Sequence, residues 1–137
     1  MYNVIPKVYI LMKNLIRELP LPNGLSLSFF DHTHHYFGDF YLVKMEILCD
    51  VPVLVGHFQN WRTFEEARAL LGEKVIYSRI VEQMGVPSTE IERVLHRLMT
   101  NFMEHSLPYF ASTLFPKKLV LAELNKVKRK KPRARYP

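Results

Sequence analysis

Glycine is scarce in this chain, with five residues in 137, and cysteine is scarcer, with one. A lone Cys49 cannot close an internal disulfide, and without a Cys pair neither a thiolate zinc site nor an iron–sulfur cluster can be assembled. No apolar run reaches the roughly 18 residues that a membrane-spanning helix needs. The apolar stretch Val8–Met12 is bracketed by Lys7, Lys13 and Arg17. It lacks the length and the small-residue cleavage site of a secretory leader, so a soluble protein of the reducing cytoplasm is expected, with no membrane partner. Also missing are a Gly-rich phosphate loop, an HExxH pair and a nucleophile elbow. No enzymatic activity and no cofactor are expected on that basis.

What is present suits one packed domain. Hydrophobic residues make up 48% of the chain and aromatics 12%, enough to build a core, and 137 residues leave little room for two. The net charge of +6 conceals a division. Of the 19 Lys and Arg and 13 Asp and Glu, nine bases and one acid (Glu123) fall in residues 117–137. The other 116 residues therefore hold ten bases and twelve acids, a net of −2. The expectation is a near-neutral α+β domain over residues 1–125 and a basic, disordered tail over 126–137.

Along the chain, Ile10, Leu11, Leu15, Ile16 and Leu19 recur at helical spacing after Pro6, and Pro20, Pro22 and Asn23-Gly24 stop that run. Leu25, Leu27 and Phe29 then alternate with serines, which marks a half-buried strand. A loop is expected over Asp31–Gly38, and a second strand over Asp39–Leu48 with Tyr41, Val43, Met45 and Ile47 on one face. Cys49-Asp50 reads as a turn into a third strand at Val51–Val55, with Pro52 placing it at an edge. From Thr63 onward the chain reads as helix. Capping boxes are expected at Thr63–Glu66 and Thr89–Glu92, and a break at Gly72 sets off a helix over Glu73–Met84. Ile91, Leu95, Leu98 and Phe102 form an apolar stripe widened by Val94 and Met99, and a last helix is expected over Phe115–Val127. The order is thus α-β-β-β-α-α-α-α, a three-stranded antiparallel meander packed by helices.

The most unusual local composition is Asp31–Asp39, with His32, His34 and His35 between the two carboxylates. Imidazoles and carboxylates are the ligands a divalent metal takes, and His32 and His34 would point the same way on an extended chain. A polar hairpin loop accounts for the same residues without a metal and is the preferred reading. The aromatics around it (Phe29, Phe30, Tyr36, Phe37, Phe40, Tyr41) read as core rather than as a base-stacking platform.

The segment Ile80–Val94 resembles the helix-turn-helix of bacterial regulators, with Met84, Gly85, Val86, Ile91 and Val94 at matching positions. It departs from that pattern in Val81, where a small residue is usual, and in Glu90 and Glu92 near the start of the second helix. The stronger electrostatic feature is the tail, where Lys126, Lys128, Arg129, Lys130, Lys131, Arg133 and Arg135 are the expected nucleic-acid-binding residues. The functional expectation is a small binding protein that contacts nucleic acid non-specifically through that tail. The alternative is a protein-interaction or assembly module, including a homo-oligomer, in which the helices from Thr63 onward bury against another chain. Charge placement separates the two: a basic surface at Arg93, Arg97, Lys117 and Lys118 continuous with the tail favours the first.

Overall fold

A computed structural model describes residues 14–130. Five strands and three α-helices follow in the order β1 (Leu15–Pro20), β2 (Ser26–Asp31), β3 (His34–Phe37), β4 (Phe40–Pro52), α1 (Trp61–Leu71), β5 (Lys74–Pro87), α2 (Ile91–Ala111) and α3 (Phe115–Lys130). Short 3-10 turns at Val55–His57 and Ser88–Glu90 lead into α1 and α2.

All pairings are antiparallel. β5 pairs β4 along its whole length, from Phe40↔Pro87 to Pro52↔Lys74. β2 and β3 pair with Met45–Cys49 and Phe40–Leu42 of the same strand, and so must share its other side, end to end. The sheet therefore has four ranks: β1, then β2 and β3 in line, then β4, then β5. All three helices lie on one face. Leu27, Phe29, Met45, Ile47, Cys49 and Val51 of the sheet form a single buried cluster with Ala67 of α1, Phe102 and Phe110 of α2, and Phe115, Val120 and Leu124 of α3. A smaller cluster of Val43, Val86 and Val94 extends it beside β3.

Several expectations are overturned here. Residues 15–20 are an edge strand, not helix, and the remainder of the expected first helix lies outside the described residues. Cys49-Asp50 is no turn. The inward alternation Val43, Met45, Ile47, Cys49, Val51, Val53 continues without a change of phase, so one 13-residue strand replaces two. The expected helix over Glu73–Met84 is β5. Its Val75, Ile76, Tyr77, Ile80 and Val81 are β-branched or aromatic, and pairing with the open side of β4 satisfies the backbone groups that β5 turns toward it along its length. The three-stranded meander thus becomes a five-stranded sheet, and Pro52 ends a central strand rather than marking an edge. Segment 80–94 is accordingly a strand, a 3-10 turn and the first turn of α2. The loop expected over Asp31–Gly38 holds β3.

Neither expected capping box forms: Thr63 lies inside α1, and Glu90, the N-cap of α2, makes no side-chain cap bond. α1 starts two residues before Thr63 and is capped by Asn60, whose Oδ1 accepts from Thr63 N at 2.9 Å. In α2, Val94 and Phe102 are buried and Leu95, Leu98 and Met99 pack against the cluster, as the stripe requires. α2 is tied at its C-terminal end by Asn23, whose Nδ2 donates to the carbonyls of Phe110 (2.7 Å) and Ser112 (2.9 Å). Its Oδ1 accepts from Leu25 N at 3.2 Å, so one side chain joins the β1–β2 turn to the end of α2.

Candidate nucleic-acid interface

α3 starts at Phe115, which is 1% exposed and packs edge-on against Phe110 (4.8 Å), Tyr109 (5.2 Å) and Tyr77 (6.1 Å). Val120 and Leu124, about 40° apart around the helix, fix which side of it faces the sheet, whereas Phe115 is its first residue and is buried by the aromatics at the helix start. At about 100° per residue the opposite arc carries Lys118, Ala122, Asn125, Lys126 and Arg129, with Lys117, Leu121 and Lys128 on the flank next to Leu124 and Lys130 at the other margin. Of these, Leu121 and Lys128 are half-buried and the others are exposed. No carboxylate lies on this arc; the helix's one acid, Glu123, sits at its border and pairs with Lys126 Nζ at 3.1 Å. Lys128 Nζ reaches across to Glu66 of α1 at 2.9 Å. Arg129, Lys128 and Lys126 border a shallow concavity floored by Ala122 and Asn125.

The expected tail residues Lys126, Lys128, Arg129 and Lys130 are therefore on the last turns of α3, and the disorder expected from residue 126 does not begin there. Val127, half-buried, carries the apolar side of the helix past that point. Lys131, Arg133 and Arg135 lie outside the described residues. Sequence reasoning counted Lys117 and Lys118 but did not place Lys118 on the same exposed arc as the end of the chain, with Lys117 on its flank. The signal was available in the spacing, because residues eleven apart stand about three helical turns apart on one side. Arg93 and Arg97, by contrast, are engaged on α2: Arg93 with Glu90, and Arg97 with the Gln83 side chain.

The three histidines of the β2–β4 region do not converge. His32 Nε2 bonds Glu46 Oε1 at 3.0 Å, His34 Nδ1 bonds the His32 carbonyl at 3.1 Å, and His35 Nε2 meets the Gly38 carbonyl. Glu46 also accepts from Ser78 Oγ at 3.0 Å on the sheet face away from the helices. Among the described residues no three His, Cys, Asp or Glu side chains are grouped to hold a metal ion. The aromatics divide: Phe29 and Phe30 are buried, whereas Tyr36, Phe37 and Phe40 stand 46%, 70% and 43% exposed on the β3–β4 hairpin.

Two titratable groups are shifted by their surroundings. Burial, reinforced by Asp50, pushes the Cys49 thiol up to about 11, so at neutral pH it is a protonated, weakly nucleophilic group. Partial burial, and then the positive charge of Lys117, hold His57 below the usual imidazole range. Among the described residues no helix is long and apolar enough to cross a membrane. Comparison of the chain with known protein families, characterised proteins and solved structures gives no match.

Proposed function

We propose that this is a nucleic-acid-binding protein whose contact surface is the outward arc of α3 together with the basic residues that follow it. The observation that carries this reading is the continuity of charge. Lys118 belongs to the same solvent-facing arc as Lys126 and Arg129, with Lys117 and Lys128 on its flank, so the basic surface runs from the first turn of α3 to its last. A helix seated by Phe115, Val120 and Leu124 holds those cations without the ordering cost a free tail incurs when it binds. The alternative of helices burying against another chain loses its main support, because the apolar stripe of α2 is turned onto the sheet. A different observation keeps a protein partner as the second reading: Tyr36, Phe37, Phe40 and Met84 are exposed apolar side chains at one end of the sheet.

Fluorescence anisotropy with labelled oligonucleotides at several salt concentrations tests the first reading. If about six phosphates are engaged on duplex DNA, log K should fall with log salt at a slope of about −5. Removing residues 131–137 takes away three bases and lowers the formal charge from +6 to +3. Binding should weaken yet persist, because the α3 arc remains. Absence of binding by the full chain at low salt overturns the reading and leaves the exposed hairpin as the surface to pursue.

A further inference from the structure

The outward arc of α3 has an internal order that charge alone does not require. Lys118, Ala122, Asn125 and Arg129 are spaced i, i+4, i+7, i+11 and fall within about 60° of one another around the helix. All four are exposed, and they form the centre line of the arc. On one flank stand Lys117 and Lys128, about 20° apart; on the other stand Lys126 and Lys130. The centre line runs for about 16 Å. It thus has short and flat-ended side chains in the middle, a long base at each end, and a pair of lysines on either side.

We propose that α3 enters the major groove of a DNA duplex, with Lys118, Ala122, Asn125 and Arg129 facing the base edges and the lysines of the two flanks on the two phosphate strands. The inference rests on the nucleic-acid reading above and names its partner. The major groove of B-form DNA, about 12 Å wide, accepts one α-helix with its side chains. The centre-line residues are of the types that read base edges there: Asn pairs with adenine N6 and N7, Ala packs on the thymine methyl, and Arg and Lys donate to guanine O6 and N7. Ala122, with no long side chain of its own, lets the helix approach the groove floor. An RNA duplex offers no equivalent, since its major groove is too deep and narrow for side chains to read. The carboxylates nearest the arc oppose binding. Glu66 holds Lys128 and Glu123 holds Lys126, so each phosphate contact on those lysines displaces a carboxylate.

The experiment compares the full chain with three variants, Lys118→Gln/Arg129→Gln, Asn125→Ala and Glu66→Gln, on labelled DNA duplex, RNA duplex and single-stranded DNA. All four substituted side chains are exposed, and circular dichroism is used to check that each variant folds. The full chain should bind the DNA duplex at least about tenfold more tightly than the RNA duplex. The Lys118→Gln/Arg129→Gln variant should bring that ratio close to one. Asn125→Ala should lower affinity for A·T-containing duplexes more than for G·C-only ones, by roughly tenfold. Glu66→Gln should strengthen binding to the DNA duplex, an outcome that damage to the fold cannot produce. Equal affinity for the three nucleic acids, falling in parallel in the Lys118→Gln/Arg129→Gln variant, overturns groove insertion while leaving the nucleic-acid reading intact. No binding of any of them by the full chain overturns both.

Discussion

Phe110 closes the aromatic cluster that seats α3, and its removal should loosen the proposed interface together with the core. It is 2% exposed, and its ring lies 4.8 Å from Phe115, 4.9 Å from Tyr77, 5.3 Å from Tyr109 and 5.5 Å from Phe102. Phe110→Ala deletes a buried ring and leaves a cavity walled by stiff aromatics that cannot collapse into it, so the loss belongs near the upper part of the usual 3–5 kcal/mol range. Individual ring pairs are worth roughly 0.5–1.5 kcal/mol beyond their area, but they share one ring here and do not add. Phe110→Leu keeps most of the volume and should cost about 1–2 kcal/mol. Against a total of about 5–15 kcal/mol for a single domain, the alanine variant gives up a large fraction. At roughly 3–5 °C per kcal/mol for a chain of this size, its Tm should fall by about 12–20 °C. Urea titration followed by far-UV circular dichroism, with thermal scans in parallel, reads both variants. A loss below about 1 kcal/mol for Phe110→Ala would refute the closed cluster, because no buried phenylalanine in a rigid setting is removed so cheaply.

Three further outcomes follow from single side chains. Asn23→Ala removes three hydrogen bonds and leaves the carbonyls of Phe110 and Ser112 without this donor, so a loss of about 1–3 kcal/mol is expected in a denaturant titration, with Asn23→Asp no better because it supplies no donor. Cys49, its thiol raised to about 11, should resist a disulfide reagent at pH 8 in the native protein and react fully in guanidinium; rapid native reaction would mean that β4 opens readily. His57 is held below its unfolded value of about 6.5, so folding favours the neutral ring. The stability this contributes is present above about pH 6.5 and is lost as pH falls through the folded value. His57→Gln should therefore flatten the decline of the urea midpoint between pH 7 and pH 5, and an unchanged decline would assign the acid sensitivity to other groups.

Where the sequence misleads, two patterns compete over the same residues. In 73–84, apolar residues fit a helical repeat and, equally, the alternate positions Val75, Tyr77 and Val81 of a strand. What decides between them is the exposed flank of β4, a partner tens of residues away that no local window contains. Cys49-Asp50 misleads by composition, since polar Asp50 suggests a turn while the phase of the buried positions on either side denies one. The stripe of α2 and the span of α3 were legible because each has a single period that burial against a sheet can use. The same reasoning explains why the basic arc was only half legible. Composition shows that cations gather at the end of the chain, but not that Val127 and Leu124 keep the helix seated beneath them. Once the buried side is assigned, the exposed side is determined by the helical repeat, and Lys118, Ala122, Asn125 and Arg129 must share it. A charged tail would attract any polyanion alike. A charged helix held against a sheet presents its bases, its amide and its methyl in one fixed order, and that order is what a duplex with readable base edges can distinguish from one without them.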